Sequence, residues 1–415
     1  MALVVRNATL IDGTGRDPVD RAVVAIDGNR ITSAGTGEAR GDVLDLDGLT
    51  LLPGLIDAQT HLGLAVELDE LAAPGTVPLA QLAAQIFTNI ELALEAGFTT
   101  VREVGGLDGG VARAVELGLL RGPRVLPAGP LISQTGGHGD HRPQFAILDH
   151  PHGPTGVMDH PGLVQMMSVC DGPDEVRVAA RRAFRHGATH IKVCVSGGVV
   201  SLTDRLEDTQ LTVEELRTAV EEAQARESYV TAHAHNVRGI LNGLEAGIEC
   251  FEHATFLDET TANKLAAAGA AIVPTLAVLR LLRTDMAEAF GLTEEMLERA
   301  AGAEQAMANS MKLAIDAGVT VGSGSDLLGP RQNRRGLEIA IHAEVVGAME
   351  AIVQATGTNA KIIRRADDVG TVEVGKLADL IAVDGDPLTE PELFDDPSRV
   401  TLVVKDGHVQ KDVRA

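Results

Sequence analysis

The chain has 415 residues with 59 acidic and 35 basic side chains, a formal charge of −24. That charge sets long-range repulsion against nucleic acid and anionic lipid, leaving small molecules or other proteins as partners. No run of about 18 apolar residues is present to cross a membrane, and three cysteines are too few for a disulfide framework.

The opening MALVVRNATLIDG lacks the basic start and long apolar run of a secretory leader, so the cytoplasm is the expected compartment. A chain of this length suits a large domain with a small one appended. With no Trp, one Tyr and eight Phe among 45% hydrophobic residues, its interior must be layered from Ala, Val, Leu and Ile. The first fifty residues read as short strands and turns, LVVRNATLID and then RAVVAIDGNRITSAG, where Asp27-Gly28 marks a hairpin. From Leu55, short β-branched runs alternate with longer amphipathic helices, the pattern of parallel βαβ units. Strands are predicted at 55–58, 99–104, 124–128, 190–195, 229–232, 249–252, 271–274 and 319–322. Eight such strands predict an α/β fold with a (β/α)8 TIM barrel over 56–362. The Gly-, Pro-, His- and Asp-rich segment SQTGGHGDHRPQFAILDHPHGPTGVMDHP follows the third strand and is expected to be a loop over the barrel mouth. The last fifty residues return to strands and turns in DLIAVDGDP and VTLVVKDGHV, so 1–55 and 363–415 are expected to pair as one small sheet domain.

Barrel enzymes carry their chemistry at the C-terminal ends of the strands. Ligand-type side chains line up at those positions: Gln59 and His61 after strand one, Lys192 on strand four, His233 and His235 at strand five, His253 at strand six, Asp326 after strand eight. Residues two apart on a strand share a face, so each spaced pair can point into one cavity. Buried, hydrogen-bonded polar residues are the bland explanation of this set. It fails first at Lys192, because a lysine inside an aliphatic strand costs several kcal/mol unless it is paired or chemically altered. Cys194, two residues on, reads as a small residue filling a layer, and His141, His150, His152 and His160 read as solvated loop residues.

The ordered set PGLIDAQTH, THIKVCVSGG, VTAHAHN, CFEHATF, GSGSD and GTVEVGKLADLIAVDGDPL resembles the amidohydrolase superfamily, in its imidazolonepropionase-like and Xaa-Pro dipeptidase-like branch. The resemblance spans nearly the whole chain. It implies that both ends form a composite β-sandwich and that Lys192 is carboxylated, its carbamate bridging two divalent metal ions, Zn first with Mn or Co as alternatives. The deeper ion would be held by His61, Asp326 and the carbamate, with Gln59 standing where the family has histidine; the outer one would take the carbamate, His233 and His253. The resemblance further implies Asp326 as proton carrier, His235 and His138 as substrate contacts or carbonyl polarisers, and His138 or Arg142 as the seat of a substrate α-carboxylate. The activity it implies is hydrolysis of an amide or peptide C–N bond in a dipeptide, an N-acyl amino acid or the C-terminal residue of a modified peptide, by a homo-oligomer. A carbamate, urea-type or natural-product amide hydrolase with one metal, and a non-catalytic scaffold, stand as alternatives. An amide oxygen is a weaker zinc ligand than imidazole, so Gln59 leaves open a soft inner site, a single outer ion, or an inactive barrel.

Overall fold

The computed structural model describes residues 3–66, 77–140, 142, 160, 162–201, 204–284, 287, 292–330 and 332–414. The N-terminal strands are β1 (Leu3–Leu10), β2 (Val19–Asp27), β3 (Arg30–Gly35), β4 (Asp42–Asp45) and β5 (Thr50–Pro53). The C-terminal ones are β16 (Leu380–Val383), β17 (Val400–Lys405) and β18 (His408–Asp412). All eight join one sheet in the order β18-β17-β16-β5-β1-β2-β3, with β4 beside β1; the two ends of the chain meet at the antiparallel pair β5–β16. The turn joining β17 and β18 is Asp406-Gly407, both at positive φ (51° and 76°), the two-residue hairpin geometry that follows sheet twist. Gly407 lies so close to Gly28 in the β2–β3 turn that a Cβ would stand 2.2 Å from the Gly28 carbonyl oxygen. The two hairpin turns, Gly28-Asn29 and Asp406-Gly407, one from each end of the sequence, therefore lock together.

Between these ends run parallel strands. β6 (Leu55–Thr60), β7 (Phe98–Glu103) and β8 (Arg124–Pro127) form one sheet. β9 (Leu131–Ser133), β10 (Met167–Val169), β11 (Ile191–Cys194), β12 (Val230–Ala234), β13 (Cys250–His253), β14 (Ala271–Val273) and β15 (Thr320–Val321) form the other, in the order β10-β9-β11-β12-β13-β14-β15. Backbone bonds from Ala58 N to Ser323 O (3.1 Å) and from Asp326 N to Gln59 O (2.9 Å) tie β6 to the segment after β15. The fold is thus mixed α/β built on parallel strands. Eight strands were expected here and each is present; β9 and β10, which flank the long loop, were not foreseen. Three residues are too few to display a period of two. Most of that loop, including His141, His150 and His152, lies outside the described residues.

The intervening helices include α1 (Leu79–Glu95), α2 (Gly109–Glu116), α3 (Pro173–Arg185), α4 (Val213–Gln224), α5 (Val237–Ala246), α6 (Glu259–Ala268), α7 (Leu276–Leu282), α8 (Glu294–Asp316) and α9 (Leu337–Val346). Their limits are written in local chemistry. Thr212 and Glu215 form a capping box at α4, Asn236 caps α5 immediately after His235, and Asp258 caps α6. Gly247 and Gly269 end α5 and α6 in the left-handed conformation. The core is aliphatic as expected, yet its largest fully buried side chains are three cations, Arg102, Arg335 and Lys192. Among the described residues no helix is long and apolar enough to cross a membrane.

Candidate metal centre

Gln59, His61, Lys192, His233, His235, His253, Asp326 and His138 all line one cavity of about 110 Å³ at the C-terminal ends of the strands. Its upper wall is apolar, with Val278, Leu279 and Leu282 from α7 facing Leu64, Met166 and Leu328. Two residues that carry site side chains are held at positive φ without being glycine, His253 (67°) and Asp326 (52°). Such left-handed backbone is sparsely populated and persists where surrounding structure enforces it. Here the Asp326 N–H bond to Gln59 O and the pairing of β12 with β13 supply that enforcement.

Four imidazoles pack against one another. His138 stacks on His233 at 4.0 Å between ring centres, His235 stacks on His253 at 4.8 Å, and His233 meets both of the latter edge-on at 4.6 Å. His138 fits only because residue 198 is glycine: a Cβ there would stand 2.2 Å from the ring. The ring nitrogens of His233, His235 and His253 lie within 4.8 Å of one another, close enough to hold a metal ion.

A carbonyl or carboxylate oxygen only accepts, which fixes where the ring protons lie. His61 Nδ1 donates to Gly105 O (3.1 Å), and its Nε2 stands 3.3 Å from Asp326 Oδ1, a contact that a proton on Nε2 satisfies. His233 Nε2 donates to Gly197 O (3.1 Å), leaving Nδ1 bare and 2.9 Å from His253 Nε2. The other nitrogen of His253 meets the Thr275 hydroxyl (2.7 Å), and His235 Nδ1 meets that of Thr255 (2.7 Å). These hydroxyls and carbonyls orient the rings as outer partners do around a bound ion. Nothing in the sequence pointed to Thr255, Thr275 or Gly197.

Burial drives the ionisation of the site. It pushes the pKa of His233 and His253 well below the ordinary imidazole value, with neighbouring imidazoles adding to the effect, and brings His235 down to about 3. Burial also opposes charge on His61, but the hydrogen bond and charge of Asp326, with Glu103 behind, raise it overall. Lys192 is 1% exposed, and burial lowers its pKa although Glu252 and Asp326 pull the other way. Its Nζ has no hydrogen-bond partner among the described residues. A buried amine with no partner among the described residues, next to imidazole nitrogens and a carboxylate, is a donor set that fits a divalent cation.

Gln59 Nε2 donates to Asp326 Oδ1 (3.0 Å) and sits 3.4 Å from His253 Nε2, while its Oε1 is buried with no partner among the described residues. Arg142 does not reach the cavity: its guanidinium pairs with Asp140 (2.6 and 2.5 Å) and is not among the described lining residues. Cys194 does not line the cavity either, and burial lifts its thiol to about 12.

Comparison with known proteins agrees with this geometry. Residues 50–409 match the model of the amidohydrolase family. An ochratoxinase of Aspergillus niger is 33% identical over 369 residues, covering 87% of this chain and 75% of that protein. A prolidase crystallised with N-methylphosphonate-L-proline superposes with a TM-score of 0.92 at 35% identity, over 99% of this chain and all of the other. A Xaa-Pro dipeptidase with methionine in its active site superposes at 0.87 with 30% identity, over 99% and 100% of the two chains. The chain belongs to the amidohydrolase family, enzymes that hydrolyse carbon–nitrogen bonds.

Proposed function

We propose that the parallel strands close into a (β/α)8 barrel over residues 56–362, flanked by a β-sandwich from 1–55 and 363–415. The cavity at its mouth would hydrolyse the amide bond of a dipeptide, an N-acyl amino acid or the C-terminal residue of a modified peptide. The observation that carries the reading is Lys192: a buried amine with no partner among the described residues, lining one cavity with His233, His253 and Asp326. Carboxylation by CO2 would turn that amine into an anionic oxygen ligand. The carbamate, His233 and His253 would then hold a divalent ion, zinc first, with His235 in the same reach.

One tightly held ion is favoured over two. On the inner side, Gln59 directs amide hydrogens at Asp326, and a proton on His61 satisfies the remaining contact. When bound, the ion supplies Lewis acidity, which polarises a carbonyl and makes water nucleophilic near neutral pH. Asp326, held by the Gln59 amide and by its own backbone bond to Gln59 O, takes the proton of the attacking water and delivers it to the leaving amine. His235, fixed by Thr255, and His138, fixed by Ser201 (2.6 Å), stand ready to hold the carbonyl oxygen or the substrate carboxylate. The apolar wall accepts a nonpolar side chain. Three buried free cysteines fit a reducing compartment, which supports the cytoplasm.

The test is native mass spectrometry with elemental analysis, then turnover of N-acyl amino acids and dipeptides by the same preparation. One ion per chain, one added CO2 and amide hydrolysis are expected. A metal-free, unmodified chain that stays folded and turns over nothing would return the scaffold reading.

A further inference from the structure

At the opposite ends of the same strands lies a second, larger cavity of about 700 Å³. Along β12 it is roughly 13 Å from His233, four residues at about 3.3 Å each. Five guanidinium groups line it, those of Arg181, Arg185, Arg226, Arg364 and Arg365, against a single carboxylate, Glu227. In a chain with a charge of −24 this is a local reversal of sign.

Neighbouring acids cancel these cations only in part: Arg364 is paired with Glu249 (2.5 Å). The Glu222 carboxylate is shared by Arg177, Arg181 and Arg226, three guanidiniums on one acid. Arg365 lies 3.7 Å from Asp368, which Arg30 engages more closely at 2.9 Å. Arg185 has no ion-pair or hydrogen-bond partner among the described residues. Two of the five are also held in place. Arg226 stacks on Phe184 at 5.0 Å and donates to Glu222 O, and Arg364 stacks on Tyr229 at 4.9 Å and donates to Glu227 O through Nη1 and to the Glu249 carboxylate through Nη2. Both spend their Nη1 hydrogens there, and the Nε and Nη2 hydrogens of Arg226 remain without a partner among the described residues. A guanidinium fixed beforehand loses little side-chain freedom when it binds.

The cations are all arginine, whose planar fork matches two oxygens of a tetrahedral oxyanion, and the volume falls in the range of about 300–1,000 Å³ found for small-molecule sites. We propose that this cavity is a binding site for a small molecule bearing more than one phosphate group, separate from the metal centre. Free polyphosphate and a phosphate ester present the same terminal chemistry to it.

Titration calorimetry and thermal unfolding of the full chain with inorganic pyrophosphate test this, beside citrate and beside sodium chloride at matched ionic strength. One pyrophosphate per chain is expected, with a rise of about 3 °C in Tm at about 100 times the dissociation constant. The double variant Arg185→Ala, Arg365→Ala should weaken binding about tenfold or more while leaving the Tm without ligand unchanged, since both side chains are exposed. An equal rise in sodium chloride, or undiminished binding by the variant, would mean diffuse screening and overturn the site. Citrate binding as tightly would overturn the phosphate class. An absence of pyrophosphate heat, with an assembly that Arg185→Glu splits in sedimentation, would reassign the cavity to an acidic segment of a second copy.

Discussion

Lys192 and Arg335 are both buried cations, at 1% and 0% exposure, and the surroundings treat them in opposite ways. Arg335 is ion-paired and hydrogen-bonded through both terminal nitrogens, although its Nε has no partner among the described residues. Its Nη1 meets Asp57 Oδ2 (2.7 Å), Ser325 Oγ (3.2 Å) and Thr60 Oγ1, and its Nη2 meets Gln332 Oε1 (2.6 Å). Asp57 in turn accepts from the backbone N–H groups of Gln59 (3.2 Å) and Ser325 (3.0 Å), so the pair fixes the two segments that carry Gln59 and Asp326. The Nζ of Lys192 has no such partner among the described residues. The charge of one cation is paired by the fold and serves as structure; the other is the one that the proposed carboxylation would convert into a ligand. Burial alone does not separate a structural charge from a functional one, whereas the census of partners does.

Removing each cation should break the two regions differently. Lys192→Met is expected to abolish hydrolysis and empty the ion site by elemental analysis, yet stability in urea should hold or rise by roughly 1 kcal/mol, as an unpaired buried amine is replaced by an apolar chain. A large drop in stability would show that Lys192 has a structural partner after all. Asp326→Asn should lower kcat about 10²- to 10⁴-fold with the ion retained, measured under saturating substrate. Arg335→Met leaves the Asp57 carboxylate buried and unpaired, so denaturant unfolding should show a loss of about 3–5 kcal/mol. A change as small as that of a surface residue would undo the contrast. Gln59→His, which exchanges an amide donor for an imidazole, should raise the metal content from one ion per chain towards two.

The smallest effect is set by an acid rather than a cation. The side-chain hydrogen bond from Arg181 comes first in holding the Glu222 carboxyl at about 2; burial works against it, and Arg177 and Arg226 reinforce it. A folded pKa below the unfolded one means that the stabilisation is complete above about pH 4.5 and lost as pH falls from there towards 2. Glu222→Gln should flatten the stability-versus-pH curve in that window, by less than about 1 kcal/mol because the cluster is near the surface and screened.

Much of this arrangement was legible before the fold was known. Lys192 stood out because a lysine in IKVCV breaks an aliphatic run, and Gln59, His61, His233, His235, His253 and Asp326 fell at strand ends, where period-two runs stop. At Arg142 the sequence shows the presence of a cation and not that Asp140, two residues away, already pairs with it. The three-residue strands β9 and β10 carried too little pattern to register.

By itself, then, the sequence determined the parallel α/β pattern, the hairpins at both ends, the helix caps and the set of chemistry-bearing side chains, because each of these is written within a few residues of chain. Tertiary structure alone decided which of those side chains are satisfied. Asp57 meets Arg335 across 278 positions, Gln59 turns its amide to Asp326 across 267, and His253 takes its orientation from Thr275, two residues beyond the end of the next strand. Such contacts depend on how strands are brought together in space, and no local periodicity encodes them.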